Sequence, residues 1–296
     1  MGFLSTYAQN GGFVKQNVPD LSIGRTDVKG ALLHDGSFVV FGGHTPGFLR
    51  SNTAERWKEG DTAWTVFTMN DYRDASAIVK IDSFKIMLAG GMSTDLGVGQ
   101  IQSTEIYNAV NNTFATKANL KVARTMFRGA KLKNNKLLFV GNWYADASQA
   151  EIYDVATDSF TLTNNVVHPR ACSYVVPRSN NGAVIMGGVG TTGGDIETIE
   201  LFDYNTLSFS LFRNHLLESD SGWIYNTYHP SGTYFPEDHM LNGKFYFSAY
   251  KPLTPAGSQY MIFSLDPDSM IIKPLITTTN LLKYDVSNGD SINFGL

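Results

Sequence analysis

Two fixed distances recur four times along the chain. Arg25, Arg73, Arg124 and Arg170 each precede a glycine by 17 residues, at Gly42, Gly90, Gly141 and Gly187. Farther on, Glu55, Glu105, Glu151 and Glu200 each precede an aromatic residue by 9, at Trp64, Phe114, Phe160 and Phe209. The arginines themselves are 48, 51 and 46 residues apart, so loop lengths drift while both internal distances hold. Such a repeat is one supersecondary unit that buries its faces only against neighbouring copies.

Each copy spells four short strands, a to d. Strand a is the apolar run after the arginine. It turns at residues such as His34-Asp35-Gly36 or Asn180-Asn181-Gly182, a composition that favours tight hairpins. Strand b is a continuous apolar run, as in Phe38–Phe41 or Lys136–Val140, which suits a strand covered on both faces. A glycine pair ends it. Strand c is of the type Ala150–Asp154, and strand d carries the closing aromatic, as in Phe160–Thr163. Units of this kind predict the blades of an all-β propeller.

A fifth copy is degenerate, with Ser248-Ala249 at the glycine-pair position. A sixth is split. Thr278 precedes Gly295 by 17, and Thr6–Phe13 reads as strands c and d around Asn10-Gly11. The expectation is therefore one domain, 1–296, of six four-stranded antiparallel blades. Their approximate spans are 22–67, 70–117, 121–164, 167–213, 229–275, and 277–296 joined with 1–20. The last blade takes two strands from each terminus, which leaves no exposed sheet edge.

The glycine pair, the aromatic in strand c and the Trp or Phe about seven residues later resemble the Kelch repeat. The resemblance covers nearly the whole chain, with Asn142 replacing the second glycine in the third copy and Trp64 the sole terminal Trp. It implies a Kelch-type β-propeller, a fold that serves mostly as a binding platform and in a minority of cases as an enzyme. Fold alone does not set function. No Gly-His…Trp-Asp pattern or Asp-box points to other propeller classes.

Composition narrows the partners. The net charge is −4 and only 17% of residues are charged, which disfavours a phosphate-backbone binder. No 18-residue apolar stretch predicts a membrane span. No secretory leader is visible at residues 1–16, so the expected location is cytoplasmic or, from the Asn/Thr/Ser/Gly-rich and Lys-poor composition, virion- or surface-associated. One cysteine, Cys172, excludes an internal disulfide and a multi-thiolate zinc site; it reads as a small buried hydrophobe. No cofactor and no metal are expected.

Strand alternation puts the longer b–c and d–a loops on one face, where function concentrates on a rigid scaffold. Arg25, Arg73, Arg124 and Arg170 enter strand a from that face. They read either as a ring of anion-binding forks or as ties to loop carbonyls and carboxylates. Phe48, Trp143, Tyr144, Trp223, Tyr225, Tyr228 and Tyr250 share the face, either as stacking platforms for a glycan or protein partner or as covers for the loop bases. The aromatic-dense segment from Ser221 to His239 is the favoured ligand contact. His44, His168, His215 and His229 lie on the same face, with no metal-type spacing and none grouped with several carboxylates. The expected function is non-catalytic recognition of a protein or glycan. The resemblance also admits a carbohydrate-active enzyme, either a sialic-acid isomerase type or a galactose-oxidase type.

Overall fold

The computed structural model describes residues 8–9, 12–13, 18–47, 49–93, 99–144, 148–217, 219–225, 236–252 and 258–278. These are almost wholly β, with a single four-residue 3-10 turn at Pro236–His239 among them. Five antiparallel sheets of propeller-blade type are present, each in the strand order a-b-c-d. The chain divides into two units, residues 1–125 with 230–233, and 126–229 with 234–296. The first holds blades one and two, and the second blades three to five.

Observed strands match the expected pattern closely in the first four blades. Blade three runs Arg128–Lys131, Lys136–Val140, Gln149–Asp154 and Ser159–Asn165. The buried-on-both-faces reading of strand b holds, since Leu137 to Val140 are all fully covered. Leu138, Val140 and Ile152 pack against Val175, Ile185 and Phe202 of blade four. Val184 and Met186 in turn join Phe245, Phe247 and Phe263 of blade five.

The Glu-to-aromatic distance of 9 is a hairpin register. Tyr107, two residues after Glu105, lies directly across the c–d ladder from Phe114. Their rings are 5.1 Å apart, and Tyr153–Phe160 and Phe202–Phe209 repeat the pair at 4.8 and 4.9 Å. Asn112, Asp158 and Leu207 turn the hairpins at positive φ.

The Arg-to-Gly distance of 17 also has a geometric cause. The a–b ladder is interrupted twice over at one level and then resumes. Thr26 bridges His44 while Lys29 pairs with Phe41, leaving Asp27 and Val28 opposite Gly42 and Gly43. Blade two repeats this with Ala75 and Ser76 opposite Gly90 and Gly91, and blade four with Cys172 and Ser173 opposite Gly187 and Gly188. The residue two after each arginine (Asp27, Ala75, Met126, Cys172) sits at positive φ, between 45° and 56°. A Cβ on Gly43, Gly91 or Gly188 would lie 2.3 to 2.4 Å from the carbonyl oxygen across the ladder. Only glycine allows that approach.

Two expectations need correction. Among the described residues five blades are seen, not six. Of the segments assigned to a sixth, residues 8–9 and 12–13 do pair as a hairpin. Residues 277–278, however, end strand d of blade five, Ile271–Thr278. The rest of 277–296 lies outside the described residues. Blade five also begins earlier than 229. Its inner strand is in two pieces, Ile224–Tyr225 and Met240–Leu241, both paired to Lys244–Pro252. The intervening insertion hid this strand, because it separates two residue pairs too short to show an alternating pattern.

Candidate functional site

Arg25, Arg73 and Arg170 act as structural pins. The guanidinium of Arg73 donates to the Gly90 and Ser103 carbonyls at 2.9 and 3.2 Å and pairs with Glu105 at 2.9 Å. Arg25 makes the same set with Gly42, Thr53 and Glu55, and Arg170 with Gly187, Thr198 and Glu200. Each glutamate then accepts the backbone N–H three residues before its arginine, from Ser22, Asn70 and Val167. The pin thus ties the incoming d–a loop to strands b and c of one blade. The arginine's own carbonyl reaches the preceding blade: Gly43, Gly91 and Asn142 donate to Arg73, Arg124 and Arg170 at 3.0, 2.7 and 3.0 Å. Asn142 keeps the needed N–H, so that departure from the glycine pair is tolerated. Arg73, Arg124 and Arg170 are at most 1% exposed, which leaves them no open fork for an anion.

Burial pushes Arg73 below its ordinary value and Glu105 above its own, in each case against the attraction of the other. Desolvation therefore outweighs the Coulombic gain for both partners, as is usual for buried pairs.

The aromatic residues divide. Trp223 and Tyr225 are 1% and 2% exposed; Tyr225 lies in the inner strand of blade five, Ile224–Tyr225, and Trp223 directly precedes it. Trp223 donates to Asp220 at 2.9 Å and meets Phe263 edge-on, while Tyr225 stacks on Phe247 and fills the space beside Gly187. The Tyr225 hydroxyl is buried and has no hydrogen-bond partner among the described residues. Burial raises its pKa, with the charges of Arg170, Glu197 and Arg213 bearing on it. Tyr144 is exposed, Trp143 and Tyr250 are half-buried, and Phe48, Tyr228 and His229 lie outside the described residues.

Around Tyr250 the second unit gathers a polar and aromatic cluster. The Tyr250 and Tyr260 rings are 5.8 Å apart. Burial raises the pKa of Tyr250, and the nearby Asp195 charge adds to the effect. Asp195 is itself raised by burial and then by Glu197. Glu197 Oε2 lies 2.7 Å from His215 Nδ1 and accepts the Gly222 N–H at 3.1 Å. Asp220 holds both Trp223 and Lys251. Neither aromatic density nor the repeated arginines point to these carboxylates. A usable signal was present: Glu197 stands three residues before the pin glutamate, where the other copies carry Asn52, Gln102 and Ser148.

The histidines also need correction. His44 does sit among carboxylates, with Nδ1 3.0 Å from Asp27 and Nε2 2.6 Å from Asp74. Arg50 is 3.3 Å from the same Asp74 oxygen. His168 lies 3.4 Å from Glu200. Burial first of all raises Asp74, against His44 and Arg50, which lower it. A raised carboxyl favours folding below the ordinary Asp value of about 3.9, and that advantage is lost as pH rises through the raised value. Asp74→Asn is therefore expected to gain stability relative to the native chain between pH 4 and pH 7. Thermal unfolding midpoints at the two pH values check this.

Among the described residues no group of three or more His, Cys, Asp or Glu is arranged to hold a metal ion. No helix among them is long and apolar enough to cross a membrane. No known family model matches the chain, and no curated protein matches it.

Proposed function

We propose that the chain is a Kelch-type recognition module that binds a glycan, alone or on a protein, at the loop end of blades four and five. The observation that carries this reading is the half-buried Tyr250–Tyr260 pair beside Asp195 and the Glu197–His215 pair. Paired tyrosine faces offer stacking area at little entropic cost, and adjacent carboxylates accept hydroxyl hydrogens. The repeated glycine pairs, strand-c aromatics and terminal aromatics support the Kelch likeness.

A glycan array probed with the intact chain tests the proposal. Specific retention without chemical change of the sugar is expected, and Tyr250→Ala is expected to weaken it about tenfold, equivalent to roughly 1.4 kcal/mol of lost ring contact. Turnover of the sugar would instead establish the enzymatic alternative. Absence of any retention would contradict the site.

A further inference from the structure

Three a–b turns carry an aspartate or asparagine directly before glycine: Asp35-Gly36 in blade one, Asn181-Gly182 in blade four and Asn242-Gly243 in blade five. Glycine has no side chain to keep its backbone nitrogen from the carbonyl carbon of the preceding side chain, so such a pair can close to a five-membered imide. Closure needs that nitrogen free of hydrogen bonds. In the first two turns it is held. Gly36 N–H donates to the Leu33 carbonyl and Gly182 N–H to Asn180 Oδ1, each at 3.0 Å. Gly182 is also buried, and a Cβ there would lie 2.5 Å from the Phe202 carbonyl oxygen.

The blade-five turn is shorter. Met240 pairs with Phe245 and Leu241 with Lys244, so only Asn242 and Gly243 connect the strands. Their φ angles, 51° and 75°, are both positive, as a type I′ hairpin turn requires. In such a turn the flanking residues exchange the ladder hydrogen bonds, and the N–H groups at the tip face water. Asn242 and Gly243 are both exposed, and a Cβ on Gly243 would meet nothing within 4 Å. Among the described residues no acceptor holds the Gly243 N–H.

We propose that Asn242 is a site of spontaneous modification, converting through a succinimide to aspartate and isoaspartate. The Gly243 nitrogen attacks Asn242 Cγ, the new C–N bond closes the ring, and the side-chain amide leaves as ammonia with the Gly243 proton. Water then opens the ring. Attack at the side-chain carbonyl gives aspartate, and attack at the main-chain carbonyl gives isoaspartate. The net change is one water consumed and one ammonia released, with no oxidant or reductant. Both products add a negative charge at the tip of the turn. Isoaspartate also lengthens the backbone by one carbon, which a two-residue turn absorbs only by disturbing the Met240–Phe245 pairing. Asn181 is protected from the same reaction because its nucleophile is engaged. The site is independent of the glycan reading, since it uses none of its residues.

Incubation of the full chain in mildly alkaline buffer, followed by mass-spectrometric peptide mapping, tests it. Trypsin separates the two asparagine pairs, since Asn181 falls in the peptide 179–213 and Asn242 in 214–244, and fragment ions assign the residue. A parallel sample unfolded in guanidinium chloride frees both pairs, and the Asn242→Asp chain supplies the aspartyl standard. In the folded chain Asn242 is expected to convert at least about tenfold faster than Asn181, which must wait for local opening. The products should be aspartate and isoaspartate together. In the unfolded chain the two residues should convert alike. An unmodified Asn242, a smaller difference in the folded chain, the same difference in the unfolded chain, or conversion without isoaspartate would overturn the proposal.

Discussion

Arg73→Ala is expected to destabilise the fold by about 3–5 kcal/mol, because it strands a buried carboxylate. Glu105 is 1% exposed, and the Gly90 and Ser103 carbonyls lose their donor with it. For unfolding followed in urea, the midpoint should drop sharply with the slope little changed. Glu105→Ala should cost a similar amount, since it leaves the guanidinium buried and uncompensated. The double variant Arg73→Met with Glu105→Leu should recover much of the loss, because desolvation already opposes both charges. If either single replacement were neutral, the arginine would not be a pin. The anion-binding reading would then regain its standing.

The second large effect falls on the glycine pair. Gly188 has φ 96°, and a Cβ there would lie 2.3 Å from the Ala171 carbonyl oxygen. Gly188→Ala must move two strands apart or distort both, and is expected to cost about 3 kcal/mol or more. Gly193 supplies the control. It has φ 77° with nothing within 4 Å of a Cβ, so Gly193→Ala should cost only the backbone term of about 1 kcal/mol. Thermal or urea unfolding of the two variants side by side separates close approach from left-handed conformation. Equal costs would show that the paired interruption of the ladder is not a tight contact.

The blade repeat was legible because its spacing is set by hydrogen-bond register. Arg170 to Gly187 and Tyr153 to Phe160 are each joined by direct geometric contacts. Loop length does not disturb those distances. What the repeat obscured was everything non-periodic. The left-handed residues Ala75, Met126 and Cys172 carry no glycine or asparagine signal, so the strain at that level is visible only in the coordinates. Trp223 and Tyr225 read as loop aromatics because the two-residue strand Ile224–Tyr225 is separated by an insertion from its continuation at Met240–Leu241. His44 has one carboxylate 17 residues upstream and another 30 residues downstream, and blade packing alone brings them together. Aligning the copies and asking where a charge replaces an uncharged residue would have marked both Glu197 and the His44 cluster.

Repeated residues build this chain, and the proposed function rests on a departure from the repeat. The most direct test is glycan retention by Glu197→Gln, measured beside its unfolding midpoint. Glu197 is absent from the pin and replaces a neutral residue of the other copies. The account predicts that retention falls at least about tenfold while the midpoint stays within a degree or two of the native chain. Undiminished retention, or a loss that merely tracks unfolding, would contradict it.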